Sequence, residues 1–464
     1  MKKFLIIIFI VHLYPAFAQN VEISGTALGR PIELVRVIVY ADQFSRIDST
    51  IVVTTTDVWG NFNISLDIDK VNFAYLALGL KRGEFYIEPD NSYHFIIHSD
   101  TVKGSVFDQL PLQFDITPKN NVVNGLINQF NYDYNTFIYK NQKQLFRSAS
   151  KRIINEFIAE INSKISNELY EKDFYFSDYV RYSLASLEWI SKSKADSLVL
   201  MEYFIGQEVL YNNIAYTDFF RSFFNDYFKT QDSYTYDELL SSLNSGEWPK
   251  TDSLLKRDEN LSNDDRVREL ALMLLVSRYY HNTDVSKKST IEILSGISSS
   301  SKFDYNRFIA KNFQKKLAKL QYGSKAPPLK LPDQNGDYTD INYFEGKFVL
   351  LSFISFDCKP CMFDFQKLQE IQNNLSDILE VVVIVSGGDM KRVVDYCSKN
   401  NFNWKLLNLE NDIILLENYE IKTFPTYIIS NPDATVAMAP APSPGENLEL
   451  YIQGFINRYQ NKNK

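Results

Sequence analysis

The chain has 464 residues, of which 45% are hydrophobic and 23% charged, and it carries three cysteines. This balance is typical of a soluble globular protein and excludes wholesale disorder and collagen-like repeats. The length suggests about three domains. Three cysteines are too few for a scaffold held together by disulfides. The formal net charge of −8 argues against nucleic acid as a partner.

The first residues are typical of a cleavable export signal. Lys2 and Lys3 form a positive start, and residues 4–13 form an apolar stretch that is short for a membrane span. Residues 16–18 read Ala-Phe-Ala, a small-residue cleavage site. We therefore expect a signal peptide over residues 1–18, a mature chain that begins at Gln19, and a periplasmic protein. An uncleaved membrane anchor is the less favoured alternative.

Residues 19–118 predict a β-sandwich-like domain. Short runs rich in β-branched and aromatic residues alternate with turn signals such as Pro89-Asp90-Asn91. His94 and His98 would share one face of a strand over residues 92–99. A metal site there would need further ligands, so we interpret the two histidines as surface residues. We expect this domain to bind a partner or to act as a spacer. The runs read VEISGTAL, LVRVIVYADQ, STIVVTTTD, GNFNISLDI, NFAYLALG, EFYIEP and SYHFIIHSD.

Residues 119–320 predict an all-α domain. Pro249 is the only proline in this span, and apolar residues recur at helical spacing in SKRIINEFIAEINSKI and DDRVRELALMLLVSRYY. Asp264 and Asp265 suit the start of the second of these helices. Aromatic runs such as AYTDFFRSFFNDYF are interpreted as core packing between helices. An aromatic groove for a partner polypeptide is the alternative.

Residues 321–464 predict an α/β domain. The continuous apolar runs KFVLLSFISF and EVVVIVS are typical of buried parallel strands, and each is followed by a stretch with helical spacing. A strand is expected over residues 402–409. PTYIIS and ATVAMA predict two more strands, and NLELYIQGFINRY predicts a closing helix. Alternating strands and helices indicate a layered α/β fold.

Cys358 and Cys361 form a C-x-x-C motif between a predicted buried strand and a predicted helix. A thiolate at a helix N-terminus faces unpaired backbone N–H groups and the positive end of the helix dipole, which lowers the thiol pKa. Pro360 suits the first helical turn, and Lys359 adds a nearby cation. We expect Cys358 to be exposed and to attack, and Cys361 to be more buried and to resolve the mixed disulfide.

Other uses of these cysteines fit the sequence less well. A zinc site would need two more ligands, and this region has no histidine and only Cys397 as a further thiol. A purely structural disulfide would not need a strand-to-helix junction. Cys397 lies at helical spacing with Val393 and Val394, so we interpret it as a core thiol. A role as a third redox cysteine is left open.

Residues 321–464 resemble the thioredoxin-like superfamily (AhpC/TSA-related), and within it the TlpA/ResA-like exported thiol–disulfide oxidoreductases. The resemblance rests on motifs that occur in the family's order. They are the entry segment Gly323-Ser324-Lys325-Ala326-Pro327, the first hairpin with Leu331-Pro332-Asp333 and Gly336, the motif Cys358-Lys359-Pro360-Cys361, and the loop Thr423-Phe424-Pro425-Thr426.

The resemblance implies roles for further residues. Pro425 should follow a cis peptide bond and lie against the C-x-x-C motif, and the backbone of Phe424 should bind a substrate chain in strand-like fashion. Asp364, where the family usually has Glu, would assist proton transfer at the second cysteine or tune the redox potential. Asp357 stands where the family usually has Trp, and its carboxylate would oppose thiolate formation next to it. Ser352 replaces the buried acid of thioredoxin. No cofactor is implied.

Together these features predict an exported thiol–disulfide oxidoreductase that acts as a protein disulfide reductase. Its partners would be a disulfide-bearing protein substrate and a membrane thiol transporter that donates electrons. Homo-oligomerisation through the N-terminal regions is left open. The alternatives are a cell-envelope binding protein with a redox-inactive thioredoxin-like domain and a thiol peroxidase. The peroxidase fits poorly because Leu351 stands where the peroxidase loop has proline.

Overall fold

The computed structural model describes most of the chain after the predicted signal peptide, which lies outside the described residues. The junction predicted near residue 118 lies outside them as well, so the domain boundaries stay predictions. Among the described residues, no helix has the length and apolarity needed to cross a membrane. The described residues are 20–98, 107, 111–117, 122–145, 150–165, 174–192, 194–230, 232–386, 390–410 and 412–462.

The N-terminal region is rich in β-sheet, as its β-branched and aromatic runs predict. Seven strands coincide with the predicted runs. The sequence pattern does not predict the eighth, which is only three residues long. The strands are β1 (Asn20–Ala27), β2 (Leu34–Tyr40), β3 (Asp48–Thr55), β4 (Asn61–Asp67), β5 (Asn72–Leu78), β6 (Lys81–Ile87), β7 (Ser92–Ile97) and β8 (Phe114–Ile116).

These strands form two sheets that share one apolar core. Within the described residues the sheet orders are β4-β1-β7-β8 and β3-β2-β5-β6. Val21 and Ile23 of the first sheet pack in the same cluster as Val35 and Val37 of the second. Because alternate residues of a strand point to opposite faces, the second sheet also has an outer face that can pack against other elements.

The two histidines lie at the surface of the first sheet. His94 Nδ1 is 2.9 Å from Ser24 Oγ, and His98 Nε2 is 3.1 Å from Asp115 Oδ2. Strand β7 ends at Ile97, so His98 follows the strand; the prediction that both histidines lie within it is wrong for His98. Each ring therefore has its own polar surface partner.

The middle of the chain is helical, as the scarcity of helix-breaking residues predicts. Asp264 caps α8, because its carboxylate accepts hydrogen bonds from the backbone N–H groups of Arg266 and Val267. The predicted start of this helix is therefore confirmed. The helices are α1 (Val122–Asn141), α2 (Ser150–Ile165), α3 (Phe174–Ile190), α4 (Asp196–Tyr203), α5 (Ile214–Tyr227), α6 (Tyr236–Asn244), α7 (Trp248–Leu255), α8 (Asp265–Tyr279), α9 (Lys287–Ser300) and α10 (Asp304–Ala318).

The aromatic residues of α5 are core residues. Phe219, Phe220, Phe223 and Phe224 are all at most 1% exposed and belong to the large apolar cluster of the helical region. Such rings contribute most through buried area and edge-to-face contacts with each other. Core packing therefore accounts for these four rings.

Helices α1 and α3 cover the outer face of the second sheet. Phe73 and Tyr86 from the sheet pack in one cluster with Phe130 of α1 and Val180 of α3. The Asn124 side chain accepts a hydrogen bond from the Tyr86 backbone N–H at 2.7 Å and donates one to its carbonyl at 2.6 Å. This asparagine therefore satisfies backbone groups of β6, which is one of the two edge strands of the sheet.

The C-terminal region has the predicted α/β alternation. Strand β13 begins at Lys405, later than predicted, and the six-residue helix α13 is not predicted. Its elements are β9 (Lys330–Pro332), β10 (Tyr338–Asp340), β11 (Phe348–Ser355), α11 (Lys359–Leu375), β12 (Leu379–Ser386), α12 (Met390–Lys399), β13 (Lys405–Glu410), α13 (Ile413–Asn418), β14 (Thr426–Ser430), β15 (Val436–Ala441) and α14 (Leu448–Lys462).

The main sheet of this region places β11 at its centre. The strand order is β13-β12-β11-β14-β15, with β11 parallel to β12 and antiparallel to β14. All of β11 except its last residue is buried, as its continuous apolar run predicts. Helix α11 follows directly, so its N-terminus lies at the carboxyl end of the central strand. Binding and reactive groups of open α/β sheets commonly lie at this edge.

The three regions are joined by buried polar contacts. Arg36, which is 1% exposed, forms a two-pronged ion pair with Glu417 of α13, with N–O distances of 2.5 and 3.0 Å. Its guanidinium also donates to the carbonyl of Gly79 at 3.0 Å. Asp42, after β2, accepts a hydrogen bond from Asn312 of α10 at 2.8 Å. The β region therefore contacts both of the other regions through charged side chains.

Candidate active site

The C-x-x-C motif lies where β11 passes into α11. Cys358 is the N-cap of the helix, and Pro360 lies in its first turn. Cys358 Sγ accepts a hydrogen bond from the backbone N–H of Cys361 at 3.2 Å. This N–H is one of the donors that a helix leaves unpaired at its start. The sulfur therefore lies at the positive end of the helix dipole, in the position that the sequence predicts.

The two cysteines differ in exposure. They form a disulfide in the structure. Cys361 is fully buried, whereas Cys358 is partly exposed. The expectation of a freely exposed Cys358 needs correction, because this residue packs against the apolar cluster below the helix. The difference in access has the predicted direction, with Cys358 the more reachable sulfur.

The charged neighbours of Cys358 lie in water. Asp357, Lys359 and Pro360 are all exposed. The carboxylate of Asp357 and the ammonium of Lys359 flank the cysteine in the chain. Because their charges have opposite sign, their effects on a thiolate oppose each other. Charges at exposed positions are also weakened by solvent and salt. The helix N-terminus is therefore the main local source of stabilisation for a thiolate at this position.

A buried tyrosine holds Asp364, the acidic residue one turn after Cys361 on α11. The Tyr427 hydroxyl donates a hydrogen bond of 2.8 Å to Asp364 Oδ2. Tyr427 is 2% exposed and lies opposite Ser352 in the β11–β14 pair. Burial raises the pKa of Tyr427, and the hydrogen bond to Asp364 raises it further. The phenol therefore stays neutral and remains a donor at physiological pH.

Sequence reasoning missed Tyr427. The run PTYIIS predicts a strand, and the structure confirms it. The pattern does not show which residue of α11 contacts the tyrosine of this run. Ser352, the position of thioredoxin's buried acid, is fully buried beside the phenol; its hydroxyl makes no well-formed hydrogen bond in the described part of the chain. Tyr427 is thus the polar group on β14 that contacts the carboxylate of α11.

The loop before β14 has the conformation that the resemblance implies. The Phe424–Pro425 peptide bond is cis. Thr426 pairs with Phe353, near the carboxyl end of β11, so the loop lies at the sheet edge where the C-x-x-C motif begins. Phe424 and Cys358 also pack against the same apolar cluster. The loop and the motif are thus brought to one end of the sheet.

Phe107 reaches this loop from the N-terminal part of the chain. Its ring meets that of Phe424 at 4.7 Å between centroids, in an edge-to-face arrangement. Such a pair favours one orientation of both rings. No sequence signal predicts this contact, which joins residues far apart in the chain.

The third cysteine is a core residue. Cys397 is free, 3% exposed, and packs in the same cluster as Cys361. Burial raises the pKa of the Cys397 thiol to about 11. A thiol in this environment is inert at neutral pH, which supports the interpretation of Cys397 as a core thiol.

Comparison with known proteins places the resemblance in the C-terminal region. Residues 346–436 match a family model described as thioredoxin-like. The chain is 28% identical over 139 residues to the thiol-disulfide oxidoreductase ResA of Bacillus subtilis (strain 168), across 30% of this chain and 75% of ResA. It is 32% identical over 72 residues to the thioredoxin-like protein YneN of the same organism, across 16% of this chain and 42% of YneN.

Solved structures show matches of similar extent. The solution structure of a thiol:disulfide interchange protein from Bacteroides sp. is 24% identical, with a TM-score of 0.27. The match covers 30% of this chain and 92% of that protein.

Proposed function

We propose that Cys358 and Cys361 are the redox-active dithiol and reduce disulfides in exported proteins. The C-terminal region that carries them is a thioredoxin-like domain related to the TlpA/ResA-type thiol–disulfide oxidoreductases. One observation carries the proposal. The partly exposed sulfur of Cys358 accepts an N–H at the start of α11, and its partner Cys361 is buried one turn further on. A reactive dithiol needs this difference in access and charge stabilisation.

The reaction starts from the reduced dithiol. The Cys358 thiolate attacks one sulfur of a substrate disulfide; the substrate S–S bond breaks, a mixed disulfide forms, and one substrate thiolate leaves. The Cys361 thiolate then attacks Cys358 Sγ and releases the second substrate thiolate. The substrate gains two electrons and two protons, and the Cys358–Cys361 disulfide is left. An external dithiol must reduce this disulfide before the next cycle.

Substrate positioning is assigned to the loop before β14. The Phe424 backbone would pair with an extended substrate segment, and Pro425 would lie against the C-x-x-C motif. The position of the loop at the same sheet edge as Cys358 supports this assignment. The backbone pairing would hold the substrate sulfur in line for attack.

Asp364 is assigned to proton transfer at Cys361. The two residues are three apart on α11, and residues at this spacing lie on the same face of a helix. The hydrogen bond from Tyr427 holds the Asp364 carboxylate in place. Asp364 would therefore accept the Cys361 proton before the resolving step, and would return it to Cys361 when an external dithiol reduces the Cys358–Cys361 disulfide.

We further propose that the protein works outside the cytoplasm. Residues 1–18 carry the features of a cleaved signal, and a dithiol reductase in an oxidising compartment needs an electron supply across the membrane. A membrane thiol transporter would meet this need. N-terminal sequencing of the protein from a periplasmic extract tests the export proposal. A mature start at Gln19 supports it, and an intact Met1 in the cytoplasmic fraction contradicts it.

Reduction of insulin disulfides by the purified protein, with dithiothreitol as electron donor, tests the redox proposal. We expect turnover by the wild type and by Cys397→Ala, and loss of turnover in Cys358→Ser. Equal rates for Cys358→Ser and wild type would overturn the assignment. Peroxide is offered in a parallel reaction. Consumption of peroxide in place of insulin reduction would contradict a disulfide reductase.

A further inference from the structure

A cavity of about 340 Å³ lies between α5 and α8 in the helical region. This volume is within the usual range for sites that hold small molecules, which is roughly 300–1,000 Å³. The lining residues come from the C-terminal halves of both helices and from Phe228 just after α5. The cavity shares no lining residue with the C-x-x-C site, so any ligand here concerns a separate site.

Part of the cavity lining is apolar. Phe224 and Leu275 are buried in the helical core, and Phe228 and Leu274 are partly exposed at the cavity. An alkyl chain or an aromatic ring placed here would lose contact with water on one face, which favours binding. Apolar walls of this kind are typical of ligand sites whose orientation is set by a few polar groups.

The lining also includes two arginines that form no ion pair with an acidic residue in the described part of the chain. Arg221 and Arg278 both line the cavity, and its lining includes no Asp or Glu. Arg221 donates to the carbonyl of Phe44, and Arg278 donates to the carbonyl of Asn225 at 2.7 Å. A guanidinium has five N–H donors in a planar fork, so each arginine keeps donors for an anion.

The surroundings of Arg221 carry charges of both signs, because Arg46 and Asp42 both act on it and Arg46 is itself paired with Asp218. Burial and repulsion from Arg46 lower the pKa of Arg221 to about 10. Burial and the charges of Arg221 and Arg46 also lower the pKa of Lys316 on α10, whose ammonium donates to the Ser45 carbonyl at 2.6 Å. A partly buried guanidinium such as that of Arg221, held mainly by a backbone carbonyl, is costly. An anion bound here would reduce that cost.

We propose that this cavity binds a small organic acid. The carboxylate lies between Arg221 and Arg278, and the alkyl or aromatic body lies against Phe224 and Phe228. The hydroxyls of Ser222 and Ser277, which also line the cavity, are of a type that donates to the same carboxylate. The site combines a charged end with an apolar wall, so it selects for ligands that have both.

Isothermal titration calorimetry of the purified protein tests this with octanoate, octan-1-ol and octylammonium. We expect octanoate to bind with one site per chain, and the neutral and cationic analogues to bind at least about tenfold more weakly, because they lack charge-assisted hydrogen bonds to the arginines. Absence of octanoate binding, or equal binding of octanol, would overturn the proposal.

A variant with its matched control locates the site. Arg278 is exposed, so Arg278→Met removes the charge without disturbing the core; we expect it to weaken octanoate about tenfold. Arg458 on α14 is also exposed and also donates to a backbone carbonyl, that of Gly454. Arg458→Met should bind octanoate as the wild type does. Unchanged binding in Arg278→Met, or equal loss in both variants, contradicts a site at this cavity.

Discussion

The phenol of Tyr427 donates a 2.8 Å hydrogen bond to the carboxylate of Asp364. This contact joins the strand after Pro425 to the helix that begins at the C-x-x-C motif. Tyr427 is almost fully buried, and Asp364 is half-buried. A hydrogen bond to an ionised acceptor at such a position is stronger than one between neutral groups. The two elements of the proposed active site are thus connected by a strong side-chain contact.

Tyr427→Phe should weaken the C-terminal region by about 1.5–3 kcal/mol, because a carboxylate loses its buried donor. Hydrogen exchange of β14 and α11 in increasing urea measures the change region by region. Tyr419→Phe is the matched control. Tyr419 donates at 2.8 Å to the neutral carbonyl of Pro327, so its loss should cost about 1 kcal/mol. Strict additivity of Tyr427→Phe and Asp364→Ala would contradict the coupling.

The ion pair of Arg36 and Glu417 should stabilise the contact between the β region and α13. Glu417→Gln leaves the buried guanidinium without a counter-ion, and we expect it to cost about 3 kcal/mol. The double variant Arg36→Met/Glu417→Met should recover most of that loss, since the buried guanidinium is removed as well and Arg82, which is 3.6 Å from Glu417, keeps its ion pair with Asp48. Hydrogen exchange of β2 and α13 reports both sides of the contact.

The control for this ion pair is a second ion pair whose two side chains are exposed. Arg152 and Glu156 are 83% and 67% exposed, so Glu156→Gln should change stability by less than about 0.5 kcal/mol. A Glu417→Gln variant as stable as Glu156→Gln would show that the buried pair contributes nothing to the contact.

The thiols should fall into two classes. In the reduced native protein, Cys358 should react rapidly with a disulfide reagent, whereas Cys397 should react only after unfolding, because burial raises the Cys397 pKa to about 11. Peptide mapping after timed labelling measures each site. Cys397→Ala should leave the number of rapidly labelled sites unchanged. Rapid labelling of Cys397 in the folded protein would contradict its place in the core.

Asp265 should stabilise the fold near neutral pH and lose this effect in acid. Hydrogen bonds from Lys302 and Arg268 lower the pKa of Asp265 to about 2. A carboxyl whose folded pKa is depressed stabilises the fold above its ordinary pKa of about 4, and that stability is lost as the pH falls towards 2. Asp265→Asn should therefore be less stable near neutral pH, and its stability should approach that of the wild type near pH 2.

The control for the acid experiment is Asp304, whose side chain is 91% exposed. Asp304→Asn should follow the wild-type curve in urea unfolding across the same pH range. A gap between Asp265→Asn and wild type that stays constant from neutral to acidic pH would contradict this account of Asp265.

Local patterns of the sequence predict the parts of the fold that depend on neighbouring residues. The seven strands, the α/β alternation and the position of Cys358 at a strand-to-helix junction follow from periodicity and turn residues. Elements of three and six residues, β8 and α13, are too short to show a period. The sequence also does not show a second cis bond, Ala439–Pro440.

Contacts between distant residues cannot be read from these patterns. Tyr427 and Asp364 are 63 positions apart, and Arg36 and Glu417 are 381 apart. Each pair depends on how separately predictable elements pack, and that packing is fixed by the whole core. The family resemblance predicts the cis bond before Pro425, but it does not predict that Tyr427 binds Asp364.

Trapping of a mixed disulfide tests the central claim most directly. The reduced Cys361→Ser variant is mixed with insulin, and the cross-linked species is digested and identified by mass spectrometry. We predict a stable adduct through Cys358, because the resolving thiol is absent. The Cys358→Ser variant should trap little, because Cys361 is fully buried. Equal trapping through Cys361, or no adduct with either variant, would contradict the assignment of Cys358 as the attacking sulfur.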